Sequence, residues 1–544
     1  MVALMFTPAS SKQPNFILIL ADDLDFDYKQ DRLSVMPNLK AVREAGAHFL
    51  NHVAAHPVCG PSRSSFLAGR YPHNTGYKYN GQPASIASWA ALQNNTLGTW
   101  LTTAGYYTAF LGKYINGMEQ EIPAGWRHWG GFSSGTGTYN YYNATPYNVS
   151  GSLSGEPQPP FTSTPMTGVH QVDFLGQQTS DLMQIALAEG RPFYIQVNPV
   201  TVHWGTCYGP CPDGGTGCYK PDDPHWEWHL PEKSNNCVPA RNGAPCALPI
   251  DPCPTLRHAH TFDSLTNPHV PSWNTTETGN VPTFIRTILP ITEYESERQD
   301  MGFRNRTASA ADLDDMLGVI TAALEAAGVA DNTYFIFTSD NGYHLAEHKF
   351  IFGKGQPYDT DVRLPFYIRG PQIPKNTTLL FPTNHLDVTA TIVELSGASP
   401  VGPPLDGLSF AAALTPNPIS VDSWRNFSYS EYFGGIDTWV EVRYPDGNLP
   451  PTASQIPLDG GLKLHFWCTN DIEVFNITSD PWELENIQLT PQGDVLVNAT
   501  IGTLNTLATC SGVSCYQPSS TALPANDSIV ACYNETLVYD VFDP

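Results

Sequence analysis

The sequence predicts an α/β fold: a mostly parallel sheet flanked by helices, followed by a smaller antiparallel-sheet α+β unit at the C-terminal end. Three observations predict it. Short continuous apolar runs alternate with helical periodicity, and chemically distinctive polar residues follow four of those runs. The texture of the chain also changes near residues 415–425, where Pro416-Asn417-Pro418 gives way to a Trp- and Tyr-rich stretch.

The apolar runs are Phe16–Leu20, Tyr106–Leu111, Phe193–Val197, Tyr334–Thr338 and Pro365–Ile368. Unbroken runs of this length are the pattern of strands buried on both faces of a parallel sheet. Between them lie helical patterns, clearest in Leu313, Met316, Leu317, Ile320 and Leu324, stopped by Gly328, which together make one apolar stripe. A last helix covers Val388–Leu395. Alternation of strand and helix places residues 1–418 in one α/β domain carrying a cysteine-rich insertion at about 205–255. Residues 419–544, with short strands, form a C-terminal subdomain with a small antiparallel sheet.

The balance of 27 Lys plus Arg against 52 Asp plus Glu gives a net charge of -25, which repels polyanions and argues against a nucleic-acid or anionic-membrane partner. No run of apolar residues is long enough for a transmembrane helix. The opening Met1–Phe6 has too short an apolar stretch for a signal peptide. Even so, sequons at Asn94, Asn143, Asn148, Asn274, Asn305, Asn376, Asn426, Asn476, Asn498, Asn526 and Asn534 point to the secretory route, ending outside the cell or in a secretory-vacuolar lumen. Cysteine usage points the same way. Cys207, Cys211, Cys218, Cys237, Cys246 and Cys253 form one even group, and Cys468, Cys510, Cys515 and Cys532 another. Each group can close its own disulfides; the first lacks the Cys-x2-Cys pairs of a zinc site. Cys59 is left alone.

The residues just beyond the strands carry the chemistry. Phe16–Leu20 leads into Asp22-Asp23, Tyr106–Leu111 into Gly112-Lys113, Phe193–Val197 to His203, and Tyr334–Thr338 into Asp340-Asn341. Ligands of open parallel sheets bind beyond the carboxyl ends of the strands, so four distant segments deliver carboxylates, an amide, a lysine and an imidazole to one edge. Asp-Asp and Asp-Asn-Gly are also ordinary capping and turn sequences. Together on strand ends they form a hard oxygen site for a divalent cation, calcium above all.

The segment Cys59-Gly60-Pro61-Ser62-Arg63, continuing through Leu67-Ala68-Gly69-Arg70, resembles the sulfatase signature Cys-x-Pro-x-Arg followed by Leu-x-Gly-Arg. The resemblance extends to Pro14–Asp23 and Thr338–His344, to Gly353-Lys354-Gly355 before Asp361–Pro365, and to Glu473–Asn476 with Asp480–Asn486. The most similar subgroup is the fungal and green-algal arylsulfatases, with glucosamine-6-sulfatases and heparan endosulfatases as further relatives. The resemblance implies an alkaline-phosphatase-like fold and a formylglycine made from Cys59 by a formylglycine-generating enzyme. It implies metal ligation by Asp22, Asp23, residue 59, Asp340 and Asn341, with Arg63 holding the aldehyde hydrate. Lys113, His203 and Lys354 would bind the sulfate, and His203 or Lys354 would protonate the leaving oxygen.

An aldehyde hydrate carries two hydroxyls on one carbon: one attacks sulfur and releases the alcohol, and deprotonation of the other expels sulfate. A serine would stop at a stable sulfate ester. Many sulfatases have a histidine two residues after the Lys113 equivalent to take that second proton. Here the position is Ile115, leaving His56, His344 and His348 as candidate bases, the latter two also as substrate contacts. Two other functions fit parts of the pattern: a phosphomonoester or phosphonate hydrolase of the same superfamily, and a non-catalytic binder of sulfated glycans should Cys59 stay unmodified. The stretch Tyr139–Tyr142 reads more as an exposed strand face beside Asn143 and Asn148 than as a pocket wall for a substrate ring.

Overall fold

The structure, a computed structural model, describes residues 13–26, 32–118, 122–132, 138–142, 168–205, 252–275, 281–416, 424–445, 460–518 and 532. Outside them lie the expected boundary at 418/419, Cys207 to Cys246 of the insertion, and the sequons at Asn143, Asn148, Asn526 and Asn534.

Among the described residues, ten strands precede the C-terminal sheet: β1 (Asn15–Ala21), β2 (Ala47–Phe49), β3 (His52–Val53), β4 (Tyr107–Gly112), β5 (His128–Gly131), β6 (Phe193–Asn198), β7 (Thr333–Ser339), β8 (Tyr367–Arg369), β9 (Thr377–Leu379) and β10 (Thr383–Asn384). Eight make one sheet in the order β5-β4-β6-β1-β7-β8-β2-β9. The block β5-β4-β6-β1-β7 is wholly parallel. β1 shows why its sequence is an unbroken apolar run. Ile17 and Ile19 face a core with Leu175, Leu182, Leu313 and Met316, from the helices Gln171–Ala188 and Glu293–Ala326. Phe16 and Leu18 face the opposite core with Phe66, Leu67, Val388 and Ile392, from the helices Cys59–Ala68 and His385–Ser396. Both faces are covered, so both parities are apolar.

The run Pro365–Ile368 departs from expectation. As β8 it is antiparallel to both β7 and β2. The chain leaves β7 at its carboxyl end and reaches β8 through loops and one short helix, Asp359–Val362. Without a crossover helix to carry it to the far edge, the strand re-enters from the end where β7 left.

A separate antiparallel sheet follows, β11 (Ser428–Tyr432), β12 (Trp439–Tyr444), β13 (Leu462–Trp467) and β14 (Ile472–Asn476), in sequential order. Val442, Leu464 and Val474 pack there against Leu496, Leu504 and Leu507 of the helix Pro491–Leu507. Cys468–Cys532 and Cys510–Cys515 are disulfides, as the even C-terminal group predicts. The buried Arg425 clamps Asp387 of the helix His385–Ser396, donating from Nη1 at 2.8 Å and from Nη2, and so joins this region to the large sheet.

Candidate active site

β4, β6, β1 and β7 are consecutive in the sheet, so their carboxyl ends lie side by side. Ala21 is in register with Ser339, which brings Asp22-Asp23 against Asp340-Asn341. Gly112 is paired with Asn198 at a φ of 89°. A Cβ there would lie 2.1 Å from the Asn198 carbonyl oxygen. The bare backbone lets Lys113 N donate to that oxygen at 2.8 Å, aiming the lysine inward. Asp23 itself sits in the left-handed region at φ 60°, a conformation aspartate tolerates better than most residues.

Cys59 opens the helix Cys59–Ala68 and Arg63 lies one turn on, so both point to the same face. Cys59 is fully buried and is the free cysteine among the described residues. Its Sγ lies 3.4 Å from Asp22 Oδ1, 3.1 Å from Lys113 Nζ and 2.8 Å from Lys354 Nζ. Lys113 also donates to Asp22 Oδ2 at 2.7 Å, and Lys354 to Asp23 Oδ1 at 2.8 Å. Arg63 donates from Nε to Asp340 Oδ2 at 2.8 Å and from Nη1 to the Lys113 carbonyl, while its Nη2 is in ion-pair contact with the same Oδ2 at 2.8 Å. His203 Nε2 stands 3.7 Å from Asp23 Oδ2, while its Nδ1 donates to the Trp204 carbonyl at 2.7 Å. That bond leaves Nε2 as the nitrogen facing the cluster.

The electrostatics follow from burial and neighbours. Burial and the adjacent Asp340 push Asp22 up to about 7. Burial acts likewise on Asp23, but Lys354, His203 and Lys113 outweigh it and hold that carboxyl well below the usual range. Burial opposes the charge on both lysines, yet the surrounding carboxylates keep them firmly protonated. Burial and Asp22 drive the Cys59 thiol well above its ordinary value, so the encoded side chain is a thiol rather than a thiolate.

These residues suit a hard cation. Ligand atoms of Asp22, Asp23, Cys59 and His203 lie within 4.8 Å of one another. Asp23 Oδ2 and Asn341 Oδ1 are buried acceptors without a hydrogen-bond partner, a costly arrangement unless something binds them. Asp340 joins through its Oδ1, which accepts the backbone N–H groups of Asp23 and Asn341.

The family model described as Sulfatase matches residues 14–398. The chain belongs to the sulfatase family. This sulfatase is 27% identical to an arylsulfatase of Volvox carteri, over 98% of this chain and 80% of that protein. It is 25% identical to the N-acetylglucosamine-6-sulfatase of Homo sapiens, over 94% of this chain and 87% of that one. Its fold is similar to that of a solved structure in complex with its substrate D-glucosamine-2-N,6-O-disulfate, at a TM-score of 0.63 and 18% identity, covering 88% of this chain and 94% of that chain. The protein is thus a sulfuric ester hydrolase with an alkaline-phosphatase-like fold. Among the described residues, no helix is long and apolar enough to cross a membrane.

Cys59, Arg63, Lys113, His203, Lys354, Asp22, Asp23, Asp340 and Asn341 come together in this sulfatase. The three histidines considered beside them separate. His344 Nδ1 is 3.0 Å from both oxygens of Asp361, and its backbone bridges Gly353, next to Lys354. His348 instead stacks on Tyr358 at 3.7 Å, beside Asp359 and Glu483 under the C-terminal sheet. Its left-handed backbone, at φ 51°, turns the chain that way. His56 is buried between Tyr432 and Phe433, which carries its pKa down to about 3.

The Tyr139–Tyr142 stretch is also not an exposed strand. Tyr141 is buried and donates to the His203 carbonyl at 2.5 Å, because its ring fills the core beneath that loop. Tyr139 stacks on His203 at 4.8 Å, and Lys113 Nζ lies 5.0 Å from its ring centroid. Sequence reasoning did not find Asp361 as the orienter of His344. Nor did it find His385, whose Nδ1 meets Ser62 Oγ at 3.0 Å while its Nε2 donates to the Ser339 carbonyl. Ser62, directly before Arg63, was the one signal for this support, donating to the Asp340 carbonyl at 2.6 Å.

Proposed function

We propose that this sulfatase releases inorganic sulfate from an aryl or carbohydrate sulfate monoester, using a formylglycine made from Cys59 as its nucleophile. The observation that carries the reading is Cys59 Sγ, buried within 3.1 Å of Lys113 Nζ and 2.8 Å of Lys354 Nζ. A thiol whose proton is held so firmly is a poor nucleophile. Sγ marks the place of a hydroxyl of the hydrated aldehyde. That hydrate supplies one hydroxyl to attack sulfur and a second whose deprotonation releases sulfate.

A divalent cation, most suitably calcium, would be held by Asp22, Asp23, residue 59, Asp340 and Asn341, where it acidifies the attacking hydroxyl and offsets sulfate charge. The chain's own residues do the rest. Lys113, Lys354 and His203 hold the sulfate oxygens where charge develops, and Arg63 anchors Asp340 and balances residue 59. Asp22, Asp23 and Asp340 match Lys113, Lys354 and Arg63 in number. A divalent cation would therefore make the pocket positive inside a protein of net charge -25. Lys354 or His203 Nε2 delivers the proton to the leaving oxygen. His344, aligned by Asp361 next to the Lys354 loop, takes the part of the absent base at Ile115. Maturation would require a formylglycine-generating enzyme in the secretory route, where the sequons become glycosylated; the C-terminal disulfides suit that compartment.

Mass spectrometry of the peptide spanning residue 59, from natively produced protein, tests the nucleophile. Formylglycine is lighter than cysteine by about 18 Da, and an unmodified thiol in active enzyme overturns this chemistry. Turnover of 4-nitrophenyl sulfate against 4-nitrophenyl phosphate tests the reaction; faster turnover of phosphate overturns it.

A further inference from the structure

Tyr139 is the aromatic wall against which Lys113 and His203 both rest. Trp204 also stacks on it, nearly parallel at 5.3 Å and 15°, and both rings remain partly exposed. The Tyr139 hydroxyl accepts from Asn116 Nδ2 at 3.1 Å. Asn116 is only 7% exposed, and the Oδ1 of the same amide is buried without a hydrogen-bond partner. Nothing in the sulfate-splitting chemistry uses that acceptor. A buried acceptor left unsatisfied is costly, and this one lies three residues from Lys113, beside the ring that abuts two sulfate-binding groups.

We propose that Asn116 and Tyr139 form a subsite for the alcohol half of the substrate, and that this alcohol is a pyranoside. The inference rests on the sulfatase reading and deepens it. A group extending from an ester held by Lys113 and His203 meets the Tyr139–Trp204 face, which suits the flat apolar side of a sugar ring. Asn116 Oδ1 then accepts from a hydroxyl on the carbon next to the ester. A phenyl sulfate stacks but has no such donor. Sites built to bond a hydroxyl discriminate strongly against analogues lacking it. Asn116 and Tyr139 act here as positioning and specificity residues.

The test compares full-length wild type and Asn116→Ala on methyl glucopyranoside 2-, 3- and 4-sulfates, each with a free hydroxyl on a carbon next to the ester. The 6-sulfate, whose neighbouring C5 carries only the ring oxygen, is the control, and a preference for it overturns the proposal. The analogues of the best regioisomer lacking a hydroxyl next to the ester are then measured. Wild type is expected to lose at least tenfold in kcat/KM on one such deoxy analogue. Asn116→Ala is expected to turn over that analogue and its parent within about threefold of each other. Equal wild-type rates on parent and deoxy sugars overturn the proposal, whether or not the variant folds. A variant that keeps the full discrimination overturns the role of Asn116. If wild type hydrolyses 4-nitrophenyl sulfate and none of the glycosides, this inference fails while the sulfatase reading stands. Failure on every sulfate sinks that reading instead.

Discussion

Arg425→Met tests whether one ion pair holds the start of the C-terminal region onto the catalytic sheet. Arg425 and Asp387 are both buried, with side-chain exposures of 2% and 0%. The guanidinium spans both carboxylate oxygens and donates from Nε to the Phe427 carbonyl at 2.9 Å. Methionine keeps the apolar stem but leaves Asp387 with two backbone donors, Asn384 N and Leu408 N, each at 2.8 Å. Removing one partner of a buried pair costs ~3–5 kcal/mol. The two remaining donors favour the lower end, so we expect a loss of about 3 kcal/mol from urea denaturation at pH 7. Activity should fall with it at elevated temperature, because His385 on the same helix supports Ser62 and Ser339 at the site. Arg425→Lys should recover only part of the loss, since a single ammonium cannot reproduce the two-pronged contact. A loss below about 1 kcal/mol, the range of exposed pairs, or full recovery by lysine would refute this account.

Cys59→Ser should accept sulfate once and stop; mass spectrometry should find the ester on residue 59, and sustained turnover would contradict the aldehyde route. Chelation should abolish activity and lower the melting temperature, with calcium at about a hundred times its Kd restoring ~2.7 kcal/mol. Asp340→Asn should blunt that response, and a melting temperature indifferent to both chelator and calcium would count against the cation site. Glu441, buried beside Lys463 3.6 Å away, has its pKa raised by burial to about 8. The folded state therefore binds its proton more tightly, a stabilisation present below the ordinary glutamate range and lost as pH rises through about 8. Glu441→Gln should accordingly flatten stability between about pH 5 and 9, gaining on wild type at the alkaline end; an unchanged slope would disprove the shift. Lys113→Ala should lower kcat/KM on 4-nitrophenyl sulfate by ~10²–10³, the scale of losing one donor to developing charge; a change under tenfold would remove Lys113 from the sulfate pocket.

Much of this site was legible because strand ends, the carboxylates that follow them and the cysteine motif are local in sequence. Asp22-Asp23 and Asp340-Asn341 each follow an apolar run directly, and a parallel sheet must bring such ends to one edge. β8 was misread because direction depends on the connection before it, and a short apolar run carries no direction. The surroundings of His348 were not legible for a similar reason: the segment after Asn341 turns through left-handed residues at Ala346, His348 and Lys349, which sequence spacing does not reveal.

The sequence by itself determined the layered α/β class, the solitary Cys59, the even C-terminal cysteine group and the residue types at the strand ends. Those depend on burial parity, pairing arithmetic and neighbours along the chain. Only the tertiary structure decided that Asp361 aligns His344, that His385 supports Ser62, and that Tyr139 is a wall of the site rather than a surface ring. Each is a contact between residues brought together by packing. Distances of a few ångströms, which select a hydrogen bond or a stacked ring, are set by how sheets, helices and loops close on one another.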